Sequence, residues 1–417
     1  MIHSRPDGFY GSMLASESVL DGMTILHGPG GCRALASSYV SRYVPREFTT
    51  IEGDFFFHRS RIPCSFVDAD DYIYGASKKI GMIMDMLRSK DLRFAVVLES
   101  PGASLIGDKL QDEVMGSEMS GKTVIIGNCM MSETFACGYD RTLSMITRKL
   151  TARTEKERKK VNLVGLPYIA KGCFSLVKEL HKLLEMMGLE VISDIGIACT
   201  VDQIRESSKA VANVCICPEY FRETGEYYQD ELGIPTVRGP LGAPVGYDAL
   251  RAWILEIAKA TDSDPEPVIK MIDDEENEVF RFVGAGLSLG EYAGGYAFSI
   301  LSEPSIALPL MTFIMKRLHL APYCIELTEH DDIYEKEILA LLDKVHCRDA
   351  SDRIFGSGFS EVMFGPGSMA EYYKQKGICR TAVDIFVPSK DYLDIAPKSI
   401  IGLDGCRRIV EKVLNTR

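Results

Sequence analysis

A cysteine at the end of a glycine-rich turn is the first residue of this chain whose type and position could do chemistry. Cys32 closes the segment His27-Gly-Pro-Gly-Gly-Cys32, which follows Met23–His27, an apolar run that predicts a β-strand. Glycines and a proline favour an open turn that a bulky inorganic group can approach closely. The carboxyl end of a strand is also where open α/β sheets bind their ligands. Cys32 is therefore a candidate metal ligand, and a strand–helix turn with an incidental thiol is the alternative.

Two further cysteines occupy comparable positions. Cys64 follows in the segment Arg61-Ile-Pro-Cys-Ser-Phe, and Cys217 ends the predicted strand Ala210–Cys217. The sequence has 12 cysteines but no CxxC pair, which excludes a zinc ribbon and a thioredoxin motif. Any metal site must therefore combine distant segments or two chains. Most of the other cysteines are expected to be small buried apolar residues.

A sequence that matches the phosphate loop of nucleotide triphosphatases, GxxxxGK[ST], spans Gly116–Thr123. Phosphate binding needs a strand before this loop and a helix after it, so that backbone N–H groups point at the phosphates. Here Asp108–Met115 predicts a helix before the loop, and Thr123–Ile126 predicts a strand after it. Because the order is reversed, we interpret the segment as a helix-to-strand connection and expect no ATP site there.

Short apolar strands alternate with longer amphipathic helices along the whole chain. A charged run, Thr151–Lys160, and two glycine-rich segments, Gly233–Gly246 and 284–295, interrupt the alternation and predict irregular connections. Repeated β-α-β alternation favours parallel sheets with helices on both faces. The sequence therefore predicts an α/β protein with three such units, and we place their boundaries at 1–155, 156–290 and 291–417.

Composition limits the class of protein. The 417 residues are 46% hydrophobic and 25% charged, as in ordinary globular proteins, and the formal net charge is −12. A chain this acidic lacks the electrostatic footprint of a nucleic-acid-binding protein. No apolar run reaches the roughly 18 uncharged residues that a membrane helix needs, and the first residues lack the pattern of a secretory signal. We expect a cytoplasmic protein with neither nucleic acid nor membrane as a partner.

Several short blocks, in order along the chain, resemble the component 1 subunits of nitrogenase and of nitrogenase-like oxidoreductases. The first is the HGPxGC turn that ends at Cys32. The others are a lysine-containing helix start, an LIGD sequence, an aromatic–glycine segment, the strand that opens the second unit and a closing glycine motif, at Tyr74–Ile80, Leu105–Asp108, Glu133–Asp140, Val161–Gly165 and Ile401–Gly405. Together they span nearly the whole chain. The resemblance implies three Rossmann-like domains per subunit, in agreement with the three α/β units.

The resemblance also implies an iron–sulfur cluster at the interface of two subunits, bound by cysteines of both. Cys32 and Cys64 fall on two of the family's cluster positions, whereas Pro101 occupies the third and cannot bind iron. An eight-iron cluster with three cysteines per subunit is therefore not expected. A symmetric homodimer would supply the four thiolates of a [4Fe–4S] cluster, and a heterodimer with a homologous subunit is equally compatible. Cys129 and Cys137 are expected to be structural rather than replacement ligands.

Cys217 lies where nitrogenase subunits that bind the catalytic metal cofactor carry a cysteine ligand. The histidine that completes that site is missing, because the chain has no histidine after His346. Cys217 is therefore a candidate ligand of a second metallocluster, or it only lines the cleft between the domains. A tetrapyrrole is the other candidate occupant of that cleft. Nitrogen is not the expected substrate. We expect the substrate or cofactor between the domains, near Cys217 and Gly239–Gly246.

The implied function is that of the electron-accepting component of a two-component, ATP-dependent reductase. Electrons would come from a separate iron–sulfur reductase similar to component 2, which alone uses ATP. Two alternatives stay open within the family: a scaffold that assembles a metallocofactor without turnover, and a component of a nickel-tetrapyrrole reductive cyclase. A metal- or siderophore-binding protein of similar build is a third. Spacing alone identifies no catalytic acid or base. We expect His27 to support the Cys32 turn by hydrogen bonding and Asp108 to cap the N-terminus of a helix.

Overall fold

The computed structural model of the chain describes residues 6–33, 62–88, 92–127, 132–288, 295–385 and 397–416. Their strands form three separate sheets, and every strand pair is parallel. This confirms the predicted α/β class. One continuous hydrophobic core contains apolar side chains from all three units. Within the described ranges, no helix is long and apolar enough to span a bilayer.

The first sheet has the order β1–β2–β3. Its strands are β1 (Gly22–His27), β2 (Phe94–Glu99) and β3 (Thr123–Ile126), and the described residues of this part of the chain form the helices α1 (Gly8–Glu17), α2 (Asp71–Tyr74), α3 (Ser77–Leu87), α4 (Leu110–Met115) and α5 (Phe135–Leu150). All six residues of β1 are buried, which is typical of a parallel strand covered on both faces. Because α4 precedes β3, the predicted helix-to-strand connection at Gly116–Thr123 is confirmed.

The second sheet has the order β5–β4–β6–β7. Its strands are β4 (Lys160–Val164), β5 (Glu190–Asp194), β6 (Ala212–Cys215) and β7 (Thr236–Arg238), and the helices are α6 (Cys173–Met186), α7 (Val201–Glu206), α8 (Arg222–Asp230) and α9 (Tyr247–Thr261). The prediction of one uninterrupted loop over Gly233–Gly246 is wrong for residues 236–238. These three residues form β7 because they hydrogen-bond to β6 at the edge of the sheet.

The third sheet has the order β11–β10–β8–β9. Its strands are β8 (Ala297–Ser302), β9 (Ala321–Leu327), β10 (Ser360–Gly365) and β11 (Cys379–Asp384), and the remaining helices are α10 (Glu266–Ser288), α11 (Pro304–Leu318), α12 (Asp332–Lys344), α13 (Gly367–Gln375) and α14 (Gly402–Leu414). The glycine-rich break predicted at 284–295 begins too early, because α10 continues to Ser288. The last helix, α14, contacts α6 and α9 as well as β11. The domain limits stay a prediction.

Candidate functional site

The segment that contains Cys64 lies beside the end of β1. The Leu26 N–H donates to the Pro63 carbonyl oxygen at 2.8 Å, and the Ser65 N–H donates to the Leu26 carbonyl oxygen at 3.0 Å. The extended backbone around Cys64 thus pairs in parallel with β1. This pairing brings Cys64 to the turn that begins at Gly28 and ends at Cys32, although the two cysteines lie far apart in the sequence. The structure therefore brings the two predicted cluster ligands to one edge of the first sheet.

The two thiols share a partly buried environment. The Cys64 Sγ donates to the Gly28 carbonyl oxygen at 3.2 Å and accepts the Phe66 N–H at 3.4 Å. Burial raises the pKa of both thiols, and the charge of Cys32 raises the pKa of Cys64 further. The Phe66 N–H and the positive charge of Arg33 oppose this effect at Cys64. Thiols with raised pKa values stay protonated at neutral pH, so a metal that binds here displaces their protons.

The loop that carries Pro101 lies against the same turn. The Ser100 N–H donates to the His27 carbonyl oxygen at 2.8 Å. A Cβ at Gly28 would lie only 2.4 Å from the Ser100 Oγ, so the close approach of the two loops requires a glycine there. Pro101 follows Ser100 and offers no side-chain donor. The carboxyl ends of β1 and β2 therefore present two thiols and a proline.

His27 and Asp108 form a buried pair beneath the turn. The His27 Nε2 lies 3.0 Å from the Asp108 Oδ2, and the Asp108 carboxylate also accepts the Ala76 N–H at 2.9 Å. Burial lowers the pKa of His27, and the bond to Asp108 opposes that shift. Asp108 thus accepts a backbone N–H at the start of α3. The helix that follows Asp108 in the sequence is α4. This pair connects the end of β1 to the start of α3, and the support that His27 is expected to give the Cys32 turn stays a prediction.

The donor set at the turn suits a soft metal but is incomplete in one chain. Within the described residues, no group of three or more histidine, cysteine, aspartate or glutamate side chains is placed to hold a metal ion. Two thiolates fit an iron–sulfur cluster, which takes four. Cys137 is exposed in the first turn of α5, near Glu133 and Arg141. Cys129 lies outside the described residues.

Cys217 occupies a different place, at the end of the second sheet. Its N–H donates to the Gly165 carbonyl oxygen at 3.0 Å, and its fully buried thiol bonds to Ser305. Burial raises its pKa far above the ordinary value. It lines a cavity of about 20 Å³ with Tyr220, Glu303 and other residues. Such a cavity has room for about one water molecule.

A much larger pocket lies next to that cavity. It has a volume of about 610 Å³, and Lys171 lines both spaces. The pocket is bordered by Lys171, which follows β4, by Asp384 at the end of β11, and by α14. The Lys171 Nζ lies 2.5 Å from the Asp384 Oδ2, and both side chains are largely buried. No local sequence signal pairs two residues that lie this far apart in the chain.

The glycine-rich segment Gly239–Gly246 does not border the Cys217 cavity. Its residues Pro240 and Gly246 line a separate groove of about 530 Å³ beside α11 and α12. The Ala243 N–H nevertheless donates to the Ser305 carbonyl oxygen at 2.7 Å, and Ser305 also bonds to Cys217, so the two segments meet at Ser305. The pocket beside Lys171 and Asp384 could not be predicted from the sequence. The same is true of the contacts of Phe66 and Arg33 at the turn from Gly28 to Cys32, the cysteine turn.

Comparisons with known proteins agree with this architecture. The solved structure "Nitrogenase Cp1 at pH 6.5" superposes with a TM-score of 0.77 and 15% identity, over 100% of this chain and 93% of that chain. A second, "Nitrogenase Cp1 at pH 5", superposes with a TM-score of 0.69 and 16% identity, over 99% of this chain and 88% of that chain. At these identities the likeness shows the fold alone.

Curated relatives match a shorter segment. A subunit of the light-independent protochlorophyllide reductase of Halorhodospira halophila is 32% identical over 105 residues, which are 25% of this chain and 19% of the relative. The corresponding subunit from Heliobacterium modesticaldum is 27% identical over 131 residues, 31% of this chain and 25% of the relative. The matches thus span about a fifth to a quarter of the relatives' length. The model of the family described as nitrogenase component 1 type oxidoreductase, by contrast, matches residues 8–417. The chain belongs to the nitrogenase component 1 type oxidoreductase family.

Proposed function

We propose that this chain is the electron-accepting component of a nitrogenase-like, two-component reductase, and that Cys32 and Cys64 hold its share of a [4Fe–4S] cluster. The observation that carries the proposal is the pairing of the Cys64 segment with the end of β1, which places both thiols at one turn. Membership of the family supports the reaction class. The electrons come from a partner iron–sulfur reductase, and ATP is used only by that partner.

The number of thiols supports a cluster shared between two subunits. One chain offers two cysteines at the turn, and the third family position is Pro101. A second subunit that contributes two thiolates completes the four of a [4Fe–4S] cluster. A symmetric homodimer satisfies this requirement, and so does a heterodimer with a homologous subunit.

Each residue at the turn has a part in holding such a cluster. Cys32 and Cys64 lose their protons and bind iron, while Gly28 and Gly30 let the neighbouring segments approach the turn closely. A Cβ at Gly31 would meet no atom of the described residues within 4 Å, which leaves room for a bulky group on this side of the turn as far as these residues define it. The cluster supplies one-electron transfer when it is bound. Its potential is set by the net charge, the hydrogen bonds to sulfur and the solvent exposure that the protein provides.

The pocket beside Lys171, with its volume of about 610 Å³, is the proposed substrate site, and a tetrapyrrole is the proposed substrate class. Its volume lies in the usual range of small-molecule sites, about 300–1,000 Å³. The names of the curated relatives support a tetrapyrrole. The lining is of mixed charge, with the cations Lys171, Lys398, Arg407, Arg408 and Lys412 and the acids Glu371, Asp384, Asp404 and Glu411. Lys171 and Arg407 already pair with Asp384 and Glu275, so Lys412 on α14 is the cation that we propose to meet a carboxylate of the substrate. A pocket at the carboxyl ends of parallel strands is the expected position for a ligand.

Iron and acid-labile sulfide analysis after anaerobic purification tests the cluster. We expect about two irons per chain, the share of one four-iron cluster in a pair of subunits. Cys32→Ala and Cys64→Ala should lose this iron, whereas the control Cys137→Ala, at an exposed position, should keep it. A folded wild-type protein without iron, or iron that survives both substitutions, overturns the proposal. Transfer of the cluster to an apo-enzyme, without reduction of a substrate, would identify an assembly scaffold instead.

A further inference from the structure

Phe66 has an unfavourable backbone conformation next to the candidate cluster ligand Cys64. Its φ is +49°, in the left-handed region that residues with bulky side chains rarely adopt. Its side chain is 53% exposed, so burial of the ring compensates only in part. Such strain persists where the surrounding structure imposes it, and it is concentrated at functional sites. The contacts that this conformation makes possible explain why Phe66 adopts it.

The conformation of Phe66 creates two contacts with the cysteine turn. Its backbone N–H points to the Cys64 Sγ at 3.4 Å. Its ring lies over Gly30, where an added Cβ would be 2.9 Å from the nearest ring carbon. Phe66 thus donates to one candidate ligand and covers the turn that carries the other.

The ring of Phe66 also positions a cation. The Arg33 guanidinium carbon lies 4.7 Å from the ring centroid, a cation–π distance. Arg33 directly follows Cys32, and its charge acts on Cys64. The planar guanidinium stacks on aromatic rings in a way that an ammonium does not. Phe66 therefore holds a permanent positive charge beside the turn at which both thiols lie.

We propose that Arg33, held on the ring of Phe66, raises the reduction potential of the cluster bound by Cys32 and Cys64. The inference rests on the proposed function, because it presupposes that cluster. One-electron reduction adds a negative charge to a cluster already surrounded by thiolates. A nearby cation stabilises the reduced form more than the oxidised form, and an N–H bond to a ligand sulfur does the same. Arg33 and Phe66 are positioning residues, and neither binds iron.

Redox titration of the anaerobically purified protein, followed by electron paramagnetic resonance with dithionite as the reductant, tests the inference. At the potential where half of the wild-type clusters are reduced, clearly fewer than half should be reduced in Arg33→Gln. Arg33→Lys keeps the charge but loses the planar stack, so its reduced fraction should lie between the two. The control Arg348→Gln removes the same charge from a residue that pairs with Asp343 in the third unit, and it should match the wild type.

A coupling measurement separates the stacked arrangement from a simple change of net charge. Phe66→Leu keeps an apolar side chain and the backbone N–H but removes the ring that holds Arg33. If the ring positions the charge, Arg33→Gln should shift the potential less in the Phe66→Leu background than in the wild type. Equal shifts in both backgrounds, or a wild-type reduced fraction in Arg33→Gln at full iron content, overturn the inference. If Arg33→Gln fails to load iron, the single variant Phe66→Leu takes its place. A wild-type reduction potential in Phe66→Leu then overturns the inference.

Failure of the inference is distinguishable from failure of the proposed function. A wild-type protein that is folded but free of iron contradicts the cluster itself. A wild-type protein with about two irons per chain and a potential insensitive to Arg33 contradicts only the role of Arg33 and Phe66.

Discussion

The His27 Nε2 and the Asp108 Oδ2 lie 3.0 Å apart, in a pair that is almost completely buried. His27 ends β1, immediately before the cysteine turn, and Asp108 lies in the connection between β2 and α4. Because Asp108 also binds the Ala76 N–H, one carboxylate joins the end of β1 to the start of α3. The residue directly before the turn thus bonds to a carboxylate that lies far from Cys32 in the sequence.

Asp108→Ala should destabilise the protein by about 1–3 kcal/mol, the usual cost of leaving a buried hydrogen-bonding group without its partner. The substitution leaves both His27 and the Ala76 N–H without their acceptor. Urea unfolding followed by circular dichroism measures the change. Asp112→Ala, at an exposed position of α4, is the matched control and should change the free energy of unfolding by no more than about 0.5 kcal/mol. Equal losses in the two variants would contradict a role for the pair.

Gly28→Ala should destabilise the cysteine turn, whereas Gly31→Ala should not. A Cβ at Gly28 would lie 2.4 Å from the Ser100 Oγ, so Ser100 must move and lose its bond to the Ala103 N–H. Overpacking of this kind costs about 1–3 kcal/mol. A Cβ at Gly31 meets no atom within 4 Å in the part of the chain that the structure describes. Thermal unfolding and iron content measure the two variants, and similar results for both would show that Gly28 is not sterically required.

Phe66→Gly should cost less stability than the matched control Phe359→Gly. Both rings are about half exposed, but only Phe66 has a positive φ. Glycine adopts that conformation freely, and the left-handed region costs other residues roughly 1–2 kcal/mol. The free energies of unfolding of the two variants should therefore differ by about 1 kcal/mol or more in favour of Phe66→Gly. A larger loss for Phe66→Gly than for Phe359→Gly would contradict the strain.

Glu219 should make stability depend on pH. Burial raises its pKa to about 7 from the ordinary 4.5, against the opposing bonds from Ser305. A carboxyl whose folded pKa is raised stabilises the fold below its unfolded pKa and loses that contribution as pH rises through the folded pKa. Between about pH 4.5 and 7, the free energy of unfolding of the wild type should therefore fall by up to about 3 kcal/mol relative to Glu219→Gln. Glu226→Gln, at an exposed position of α8, should run parallel to the wild type.

A carboxylated tetrapyrrole should bind more weakly to Lys412→Glu than to the wild type. Lys412 lies on α14 and lines the proposed substrate pocket, so the substitution replaces attraction for a carboxylate with repulsion. Fluorescence titration with a dicarboxylic porphyrin should show a several-fold rise in Kd, on the order of 1 kcal/mol. Lys336→Glu, at an exposed position of α12 outside the pocket, makes the same change of charge and should leave the Kd unaltered. Equal effects would place the binding site elsewhere.

Most elements could be predicted because their patterns are local. The apolar runs that predicted β1 and β2 reflect burial on both faces, and that property is present in the order of the residues themselves. The exception, β7, is only three residues long and lies among glycines and prolines. It exists because β6 offers it a hydrogen-bonding edge, which no local pattern reports.

The sequence by itself determined the α/β class, the two thiols that are candidate ligands and the proline at the third position. Only the tertiary structure decided that Cys64 lies beside the Cys32 turn, that Phe66 has a left-handed backbone beneath Arg33, and that Cys217 lies in a cavity of about 20 Å³. The physical reason is the range of the interactions. The patterns that predict helices and strands repeat every two to four residues along the chain, whereas these contacts depend on strand order and on packing between segments that the sequence keeps far apart.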